Sequence, residues 1–567
     1  MNTEALLAEI EVMRTRLLKL GLFFCAAAVL QAEIRTVPSP QYPTIQAAID
    51  NAVSGDTVVV SPGAYFENIN FLGKAITVRS IDPDDPNTVS STIINGSLPA
   101  DPNNASVVTF NHGEGNTSVI EGFTITGGTG SWVAIAWQGY YTAYWNRCGG
   151  GIVCYNFSAP TILKNRFIAN ITGEGGGVYV YGNPVNPASP SNPPVHLKPV
   201  IADNVFEQNS AVVNHGYLPP DSLYPVHNHG DGGAIVCFQG VDANISGNII
   251  QNNHADSYGG GIHLRQWSNG NIRENTIQQN DSLLGAGVHI TYNSSPHVHK
   301  NTIYKNKAGG LGGGGVYIYD QSSPLVEYNY ISENESTKGA GIGIYWESTP
   351  LIKNNVIFKN LKGAGVYITG SANPTVIHNT IIQNVGGIQM NYGTVSPIIE
   401  NNLIASNGSN AYGIYTYQAT PVIRYCNVWN HPKGNYSPAI GDQTGVNGNI
   451  SADPNFADPN DFHILPVSPC VDAGDPSAVL PPDAEDFDGE GRVFNGRVDI
   501  GADEMHLMPA DFNTDGIVDL PDLLTFCEQW LSNTPPLQAD FTGDGRVDLS
   551  DLADFSACWL QNAPWRP

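Results

Sequence analysis

A short asparagine motif recurs nine times along this chain, and it constrains the fold more than any other sequence feature. The motif is an Asn, any residue, an Ile or Phe, any two residues and a second Asn. The last six of its eight intervals are 23 to 28 residues long. A repeat of this period predicts a solenoid, in which each unit closes its core only against its neighbours. The nine copies begin at Asn165, Asn204, Asn248, Asn275, Asn301, Asn329, Asn355, Asn379 and Asn402.

Each repeat also carries patterns that are typical of strands. A glycine cluster leads into an alternating segment, as in Gly177-Val-Tyr-Val-Tyr181 and Gly315-Val-Tyr-Ile-Tyr319, and a polar turn and a short apolar segment follow. Alternation with period two indicates a strand with one face buried. Three short strands in a coil of about 25 residues predict a mainly β chain that forms a right-handed parallel β-helix. The repeated asparagines are expected to stack from coil to coil in one turn, where their amides can bond to one another.

Two terminal segments of this region resemble a known superfamily. Tyr42–Asp50, followed by Gly55–Gly63, is similar to the N-terminal cap and first coil of the right-handed β-helix superfamily that includes pectate lyases and many glycosidases. An amphipathic helix from Ile45 to Ala52 would cover the exposed edge of the first coil. The stretch from Ser468 to Glu504 is similar to the closing segment of such proteins. The resemblance therefore implies this fold for residues 33–504, whereas activity depends on the site, because the fold hosts many chemistries.

The C-terminal residues 508–567 contain two copies of a calcium-loop pattern, 511–522 and 540–551. Each has oxygen-bearing side chains at loop positions 1, 3, 5, 9 and 12 and Gly at position 6, and an apolar segment ending in Trp-Leu follows. The pair resembles a type I dockerin, which implies a small α-helical module with two EF-hand-like loops, two Ca²⁺ ions and a cohesin-like protein partner. The implied ligands are Asp511, Asn513, Asp515, the Ile517 carbonyl, Asp519 and Asp522, then Asp540, Thr542, Asp544, the Arg546 carbonyl, Asp548 and Asp551.

Loop positions 10 and 11 depart from the dockerin pattern. Leu520-Pro521 and Leu549-Ser550 stand where dockerins carry a Ser/Thr-type pair that reads the partner. An intramolecular stabilising role, or attachment to another surface receptor, therefore stays open beside a cohesin.

The N-terminal residues 1–32 have the layout of a secretory signal peptide. Basic residues precede an apolar run from Leu20 to Leu30, and Ala32 is a candidate cleavage residue. The protein is therefore expected to be secreted or on the cell surface. No later stretch has the roughly 18 apolar residues of a membrane span, so no span is expected after removal of the signal. The formal net charge of -27 argues against a nucleic-acid partner.

Aromatic side chains indicate a polysaccharide ligand, because sugar rings present C–H faces that stack on aromatic rings. Many of them lie in a loop from Trp132 to Cys148, and others lie on the strands after the glycine clusters, where alternate residues should point outward. The candidate substrate-binding residues are Trp132, Trp137, Tyr144, Trp145, Tyr179, Tyr181, Tyr317 and Tyr345.

A cluster of polar residues on the same strands provides candidates for catalysis. His263 and Arg265 share one face of a strand, and His289, 26 residues later, should stack about 4.8 Å away in the next coil. In a lyase, Arg265 would neutralise a uronate carboxylate while His263, His289 or Tyr319 removes the adjacent proton.

A hydrolase would instead need two carboxylates that flank the scissile bond. The best-placed acidic residues are Asp231, Asp256, Asp320 and Glu347, but the sequence singles out no pair among them. The neighbouring His227 and His229 are a candidate metal-binding pair.

Two functions follow from these features. The first is an exported carbohydrate-active enzyme, a polysaccharide lyase or glycosidase, docked to a partner through its C-terminal module. The alternative is a non-catalytic glycan-binding, adhesion or structural protein, in which Tyr and His residues are ordinary constituents of an exposed β face.

Overall fold

The computed structural model describes the chain from residue 32 to residue 560 with several gaps. The described residues are 32–135, 144–182, 196–213, 229–310, 312–393, 396–408, 410–458, 461–494, 496–506, 510–513, 517–533 and 537–560. The predicted signal peptide lies almost wholly outside them.

Three long parallel sheets wind around one core. Sheet A contains 14 strands: Ile34–Val37, Thr57–Val60, Thr77–Ser80, Val119–Glu121, Thr161–Leu163, Val200–Ala202, Asn244–Ser246, Asn271–Arg273, His297–His299, Leu325–Glu327, Leu351–Lys353, Thr375–Ile377, Ile398–Glu400 and Val422–Arg424. Sheet B contains 13 strands: Gly63–Tyr65, Thr92–Asn95, Thr124–Thr126, Arg166–Ile168, Val205–Glu207, Ile249–Gln251, Thr276–Gln278, Thr302–Tyr304, Tyr330–Ser332, Val356–Phe358, Thr380–Ile382, Leu403–Ala405 and Asn427–Trp429.

Sheet C carries the strands that follow the glycine clusters. Its 12 strands are Ile69–Asn70, Val108–Phe110, Ile152–Cys154, Val178–Tyr181, Ile235–Phe238, Ile262–Arg265, Val288–Thr291, Val316–Ile318, Gly339–Ile344, Ala364–Thr369, Gly386–Asn391 and Ile414–Tyr417. A smaller parallel sheet D lies between sheets B and C and contains Ile171–Thr172, Ser210–Ala211, His254–Tyr258, Asp281–Leu284 and Lys307–Ala308. Each coil thus runs from sheet A through B to C, as the three-strand repeat predicts.

The core consists of apolar side chains stacked in register from coil to coil. In sheet A, Ile245 pairs with Ile272, which pairs with Val298, and all three are fully buried. Because the buried position recurs in every coil, removing these side chains from water stabilises each coil only when its neighbours are present. This explains why the sequence needs a long series of similar units.

The repeated asparagines form two buried ladders rather than the single stack that the sequence suggested. One ladder lies between sheets A and B, where Asn204 donates from its backbone N–H and its Nδ2 to Oδ1 of Asn248, at 2.9 and 3.0 Å. The second lies after sheet B, where Asn209 makes the same two bonds to Asn253. Two ladders form because the motif contains two asparagines five residues apart. The strand between them places one at each end of sheet B.

The first coil is capped as predicted by helix α1, Ile45–Asn51. Thr44 accepts a hydrogen bond from Ala47 N and caps the helix start, and Ile45 and Ile49 are buried against the first coils. A second short helix, α2, spans Pro86–Ser91.

A hairpin covers part of the outer face of sheet C. Its strands, Gly130–Ile135 and Tyr144–Cys148, are antiparallel, and Asn104–Ala105 pairs with the first of them. Apolar hairpin residues such as Ile135 pack against Tyr179 and Phe238 of sheet C in a second hydrophobic cluster. The hairpin thus converts an outer face of the solenoid into a buried one.

The closing segment packs on the outer face of sheet B. Its two antiparallel strands are Phe456–Asp458 and Asp461–Ile464. Ile464 and Ile500 lie in one hydrophobic cluster with Leu403 of sheet B.

The C-terminal region forms a duplicated pair of helices, α3 (Leu520–Glu528) and α4 (Leu549–Ala557). Its small core contains three residue pairs that are each 29 positions apart: Ala510 and Ala539, Val518 and Val547, Phe526 and Phe555. The equal offset shows that the two halves place the same positions in one core. None of the helices in the described ranges is long and apolar enough to cross a bilayer.

Candidate functional site

A row of stacked rings runs along the outer face of sheet C. His263 pairs in register with His289, which pairs with Tyr317, and the consecutive ring centroids are 4.5 and 5.0 Å apart. The one-coil separation that the sequence predicted for the two histidines is therefore confirmed.

The row continues past a position that has no side chain. Gly343 follows Tyr317 in register, and the Tyr345 ring lies between the Tyr317 and Tyr367 rings, with centroids 4.8 and 5.5 Å away. An added Cβ on Gly343 would lie 3.0 Å from Cε2 of Tyr345. Gly343 thus leaves the space in which the Tyr345 ring continues the row.

A cavity of about 270 Å³ opens where the row meets Arg265. Both histidines, Arg265, Tyr317 and Tyr319 line it, so the structure brings all four candidate catalytic residues to one place. The remaining lining residues are His229, Tyr258, Leu284, Thr291 and Tyr292.

The two histidines are buried and neutral. His263 and His289 are 1% and 3% exposed, and none of their ring nitrogens has a hydrogen-bond partner among the described residues. Burial lowers the pKa of His289 to about 3, and that of His263 well below its ordinary value. Such imidazoles line the cavity with lone pairs that can accept a proton or a hydroxyl hydrogen bond.

Arg265 is held by a buried carboxylate on its inner side. Its Nη1 lies 3.3 Å from Oδ2 of Asp231, and its guanidinium carbon lies 4.9 Å from the centre of the Phe238 ring and 5.8 Å from that of Tyr292. These contacts fix the guanidinium at the cavity wall.

A second buried acid, Glu174, was missed by the sequence reasoning. Glu174 and Asp231 form a parallel β-bridge on neighbouring coils, and both are only 1% exposed. Burial raises the pKa of both carboxyl groups, and the Asp231 charge raises that of Glu174 further. The sequence does contain a pattern that places Glu174 and Asp231 at the same position of neighbouring coils. Each residue directly precedes a glycine pair, as Cys148 and Tyr258 also do in other coils.

Most aromatic residues of the predicted substrate loop are not exposed, which corrects the expectation for its described part. Trp132 and Tyr144 are 5% and 6% exposed, while Tyr179 and Tyr181 are 0% and 4% exposed, beneath or within the hairpin. Trp145 is half-buried. The reason is that the hairpin folds back on sheet C, so these side chains pack against it. Trp137 lies outside the described residues.

The remaining acidic candidates are dispersed. Asp256 binds His254 on sheet D, with Oδ1 3.0 Å from Nε2. Asp320 and Glu347 lie on neighbouring turns that follow sheet C, where burial first and then the Glu347 charge raise the pKa of Asp320. His229 lines the cavity, whereas its sequence partner His227 lies outside the described residues.

The calcium-loop pattern coincides with capping interactions of helices α3 and α4. Asp522 and Asp551 are fully buried, and each accepts backbone N–H groups at the start of its loop, such as Asn513 for Asp522 and Thr542 for Asp551. Asp540 accepts from the N–H of Gly545, five residues on. Asp515 lies outside the described residues.

The predicted ligand set fits Ca²⁺ in its chemistry. Every donor in it is an oxygen, which is the type of ligand that Ca²⁺ prefers. The other candidate ligand residues of the second loop lie in the turn that leads into α4; they are Asp540, Thr542, Asp544, Arg546 and Asp548.

A protein-family model supports the fold of the central coils. A family model described as "Right handed beta helix region" matches residues 198–364 and 286–450. Similar solved structures include a mutant of the PL6 family alginate lyase AlyGC, at 12% identity and a TM-score of 0.38, covering 77% of this chain and 55% of that chain. Another is XylC in complex with xylose, at 11% identity and a TM-score of 0.28, covering 75% of this chain and 87% of that chain.

This chain spans about half the length of the alginate lyase. No curated protein sequence matches it. The family match and the three parallel sheets define a right-handed parallel β-helix protein.

Proposed function

We propose that this protein is a carbohydrate-active β-helix enzyme that degrades a polysaccharide at the cavity on sheet C. The observation that carries the proposal is the convergence of Arg265, two neutral histidines and a stacked aromatic row at that cavity. Tyr317 is only 5% exposed, so the partly exposed rings of Tyr319 and Tyr345 are the ones that can bind the face of a sugar. The polar groups at the end of the row supply a place for chemistry.

Among polysaccharide-degrading reactions, the cavity favours a lyase. Its described lining includes a fixed guanidinium and three imidazoles, those of His229, His263 and His289, but neither Asp nor Glu. Arg265 would neutralise a uronate carboxylate and so acidify the adjacent C–H, and His263 or His289 would remove the proton while the glycosidic oxygen leaves. Tyr319, which is only partly buried, is the candidate for protonating the leaving group.

A glycoside hydrolase is the second candidate, because two acids lie beside the cavity. Asp320 directly follows Tyr319, and its raised pKa suits a general acid, with Glu347 as the second carboxylate. Non-catalytic glycan binding is the third outcome, favoured by the low pKa of His289, which makes that imidazole a weak base.

The C-terminal module fits an attachment role. We propose that the two loops bind Ca²⁺ through the ligands given above, and that the bound ions hold the starts of helices α3 and α4 in place. Exposed Leu520, Leu531, Leu549 and Leu560 give this module an apolar surface suited to a protein partner such as a cohesin. Together with the signal-peptide pattern of residues 1–32, this suggests an exported enzyme docked to a larger assembly.

A polysaccharide screen tests the proposal. An ultraviolet-absorbing unsaturated product from acidic polysaccharides identifies a lyase, and new reducing ends without that absorbance identify a hydrolase. Arg265→Ala and His289→Ala should each abolish a lyase activity, while Tyr304→Phe, on the outer side of sheet B, should leave it unchanged. Binding without turnover on every substrate contradicts catalysis, and neither binding nor turnover contradicts the whole proposal.

A further inference from the structure

A second line of aromatic side chains follows the turn between sheets C and A. Backbone hydrogen bonds join this turn from coil to coil, and the residues that follow one another along it are Tyr292, Asp320, Trp346, Gly370 and Tyr392. The aromatic residues therefore occupy every second coil, with an acid or a glycine in the coils between.

The fold gives no reason for aromatic residues at these positions. Tyr292, Trp346 and Tyr392 have left-handed backbones with φ of 54°, 45° and 49°, a conformation that bulky residues rarely adopt. The same turn position holds Gln239 and Gln266 in earlier coils. Because Gln239 and Gln266 adopt the same left-handed backbone, the turn itself sets this conformation and does not require an aromatic side chain.

Two of these side chains are also exposed rather than packed, whereas Tyr292 is partly buried at the cavity wall. Trp346 and Tyr392 are 58% and 64% exposed, although burial would stabilise such large apolar surfaces. Gly370 leaves room for the Trp346 side chain, because an added Cβ would lie 3.4 Å from Cδ1 of Trp346. The ring of Trp346 thus lies partly over a coil that carries no side chain.

The line joins the cavity directly. Tyr292 lines the cavity, and the Tyr319 ring lies 6.4 Å from that of Tyr292 and 6.3 Å from that of Trp346. At the far end the Tyr392 ring lies 5.5 Å from that of Tyr417. A ligand that follows this line therefore enters the site described above.

We propose that this aromatic track, Tyr292, Trp346 and Tyr392, binds an extended β-1,4-linked polysaccharide that lies along the solenoid axis, a proposal that rests on the function proposed above. Two coils span about 10 Å, since neighbouring strands lie about 4.8 Å apart. In an extended β-1,4-linked chain each sugar is turned over relative to its neighbour, so alternate sugars present the same face over a similar length. Successive aromatic residues of the track would then stack on alternate sugars of the chain.

Binding of oligosaccharides to the full chain tests whether the spacing of the aromatic residues matches that of alternate sugars. Cello-oligosaccharides and β-1,4-linked mannuronate oligosaccharides of two to six units are titrated by calorimetry at low temperature, where turnover is slow. We expect the affinity of at least one series to rise in steps at three and five units, where a second and a third aromatic residue come within reach, with little gain at four and six. Maltohexaose, whose α-1,4-linked chain curls, should bind more weakly than the hexamer of that series.

Substitutions locate the binding surface. Trp346→Ala and Tyr392→Ala should each weaken hexasaccharide binding by about tenfold, whereas Phe66→Ala, an equally exposed aromatic residue on the first coils, should not. Affinity that rises smoothly with each unit, or full affinity in both track variants, overturns the track. If Arg265→Ala still abolishes cleavage in that case, the proposed function stands without the track. If no oligosaccharide binds and no polysaccharide is cleaved, both fail.

Discussion

The Nη1 atom of Arg265 lies 3.3 Å from Oδ2 of Asp231, and both side chains are buried on the outer face of sheet C. The carboxylate is the anionic partner of a guanidinium that few water molecules can reach. The pair therefore couples the stability of the central coils to the integrity of the candidate site.

Asp231→Asn should destabilise the β-helix, because it removes the carboxylate that lies 3.3 Å from the buried Arg265 guanidinium. We expect a loss of about 3 kcal/mol in the free energy of unfolding, measured by chemical denaturation. Glu333→Gln is a matched control, since Glu333 pairs with Lys305 at 3.7 Å on the surface, and the expected loss is below about 0.5 kcal/mol. Equal losses in the two variants would contradict the importance of the buried pair.

Asn301→Ala should interrupt an asparagine ladder in mid-solenoid. The Oδ1 of Asn301 accepts from the backbone N–H and the Nδ2 of Asn275, and its own Nδ2 donates to Oδ1 of Asn329. Its removal therefore leaves the buried backbone N–H of Asn275 without this acceptor. We expect a loss of about 3 kcal/mol in thermal or denaturant unfolding. The exposed Asn116, replaced by Ala, should change stability little, and comparable effects at both sites would argue against the ladder.

Stability should depend on the charge of His254. Its Nδ1 lies 2.6 Å from Asp281 and its Nε2 lies 3.0 Å from Asp256, and the hydrogen bond to Asp281 is the main cause that raises the pKa of His254 to about 9. Because the folded-state pKa exceeds the unfolded value of about 6.5, this stabilisation is complete below pH 6.5 and is lost as the pH rises through 9.

A pH series of unfolding curves measures this effect. The native protein should lose stability between about pH 6.5 and 9, and His254→Ala should not show this loss. Added salt should make the loss in the native protein smaller, because the site is partly exposed. An unchanged pH profile in the variant would contradict the assignment.

Calcium should order residues 508–567 without affecting the β-helix. Chelation is expected to lower the α-helical signal by circular dichroism while the β signal persists, because the loops hold the starts of α3 and α4. Asp551→Ala should reproduce part of this change, whereas Asp554→Ala, on the exposed side of the same helix, should not. A module equally ordered in chelator would show that calcium has no part in its folding.

Local patterns in the sequence were sufficient to predict the coil architecture. The strand alternation and the asparagine motif recur in most coils, so the same fold is specified by many similar segments. The register of His263 with His289 followed from counting residues along that repeat. The number of asparagine ladders did not, because it depends on where sheet B begins and ends within the motif.

Other features were decided by contacts between distant parts of the chain. Glu174 and Asp231 are 57 positions apart, and an enlarged coil separates them, so only the folded coils reveal that they are neighbours. The burial of Trp132 and Tyr179 depends on a hairpin folding back onto sheet C, and nothing in the periodicity specifies which face an inserted loop covers.

The sequence by itself determined that this chain winds into a parallel β-helix followed by a duplicated acidic-loop module, because both features are written as local repeats. Only the tertiary structure decided which polar side chains share a cavity and which aromatic residues remain exposed. The physical reason is that burial depends on what packs over a residue, and in this solenoid the covering segments come from insertions outside the repeat.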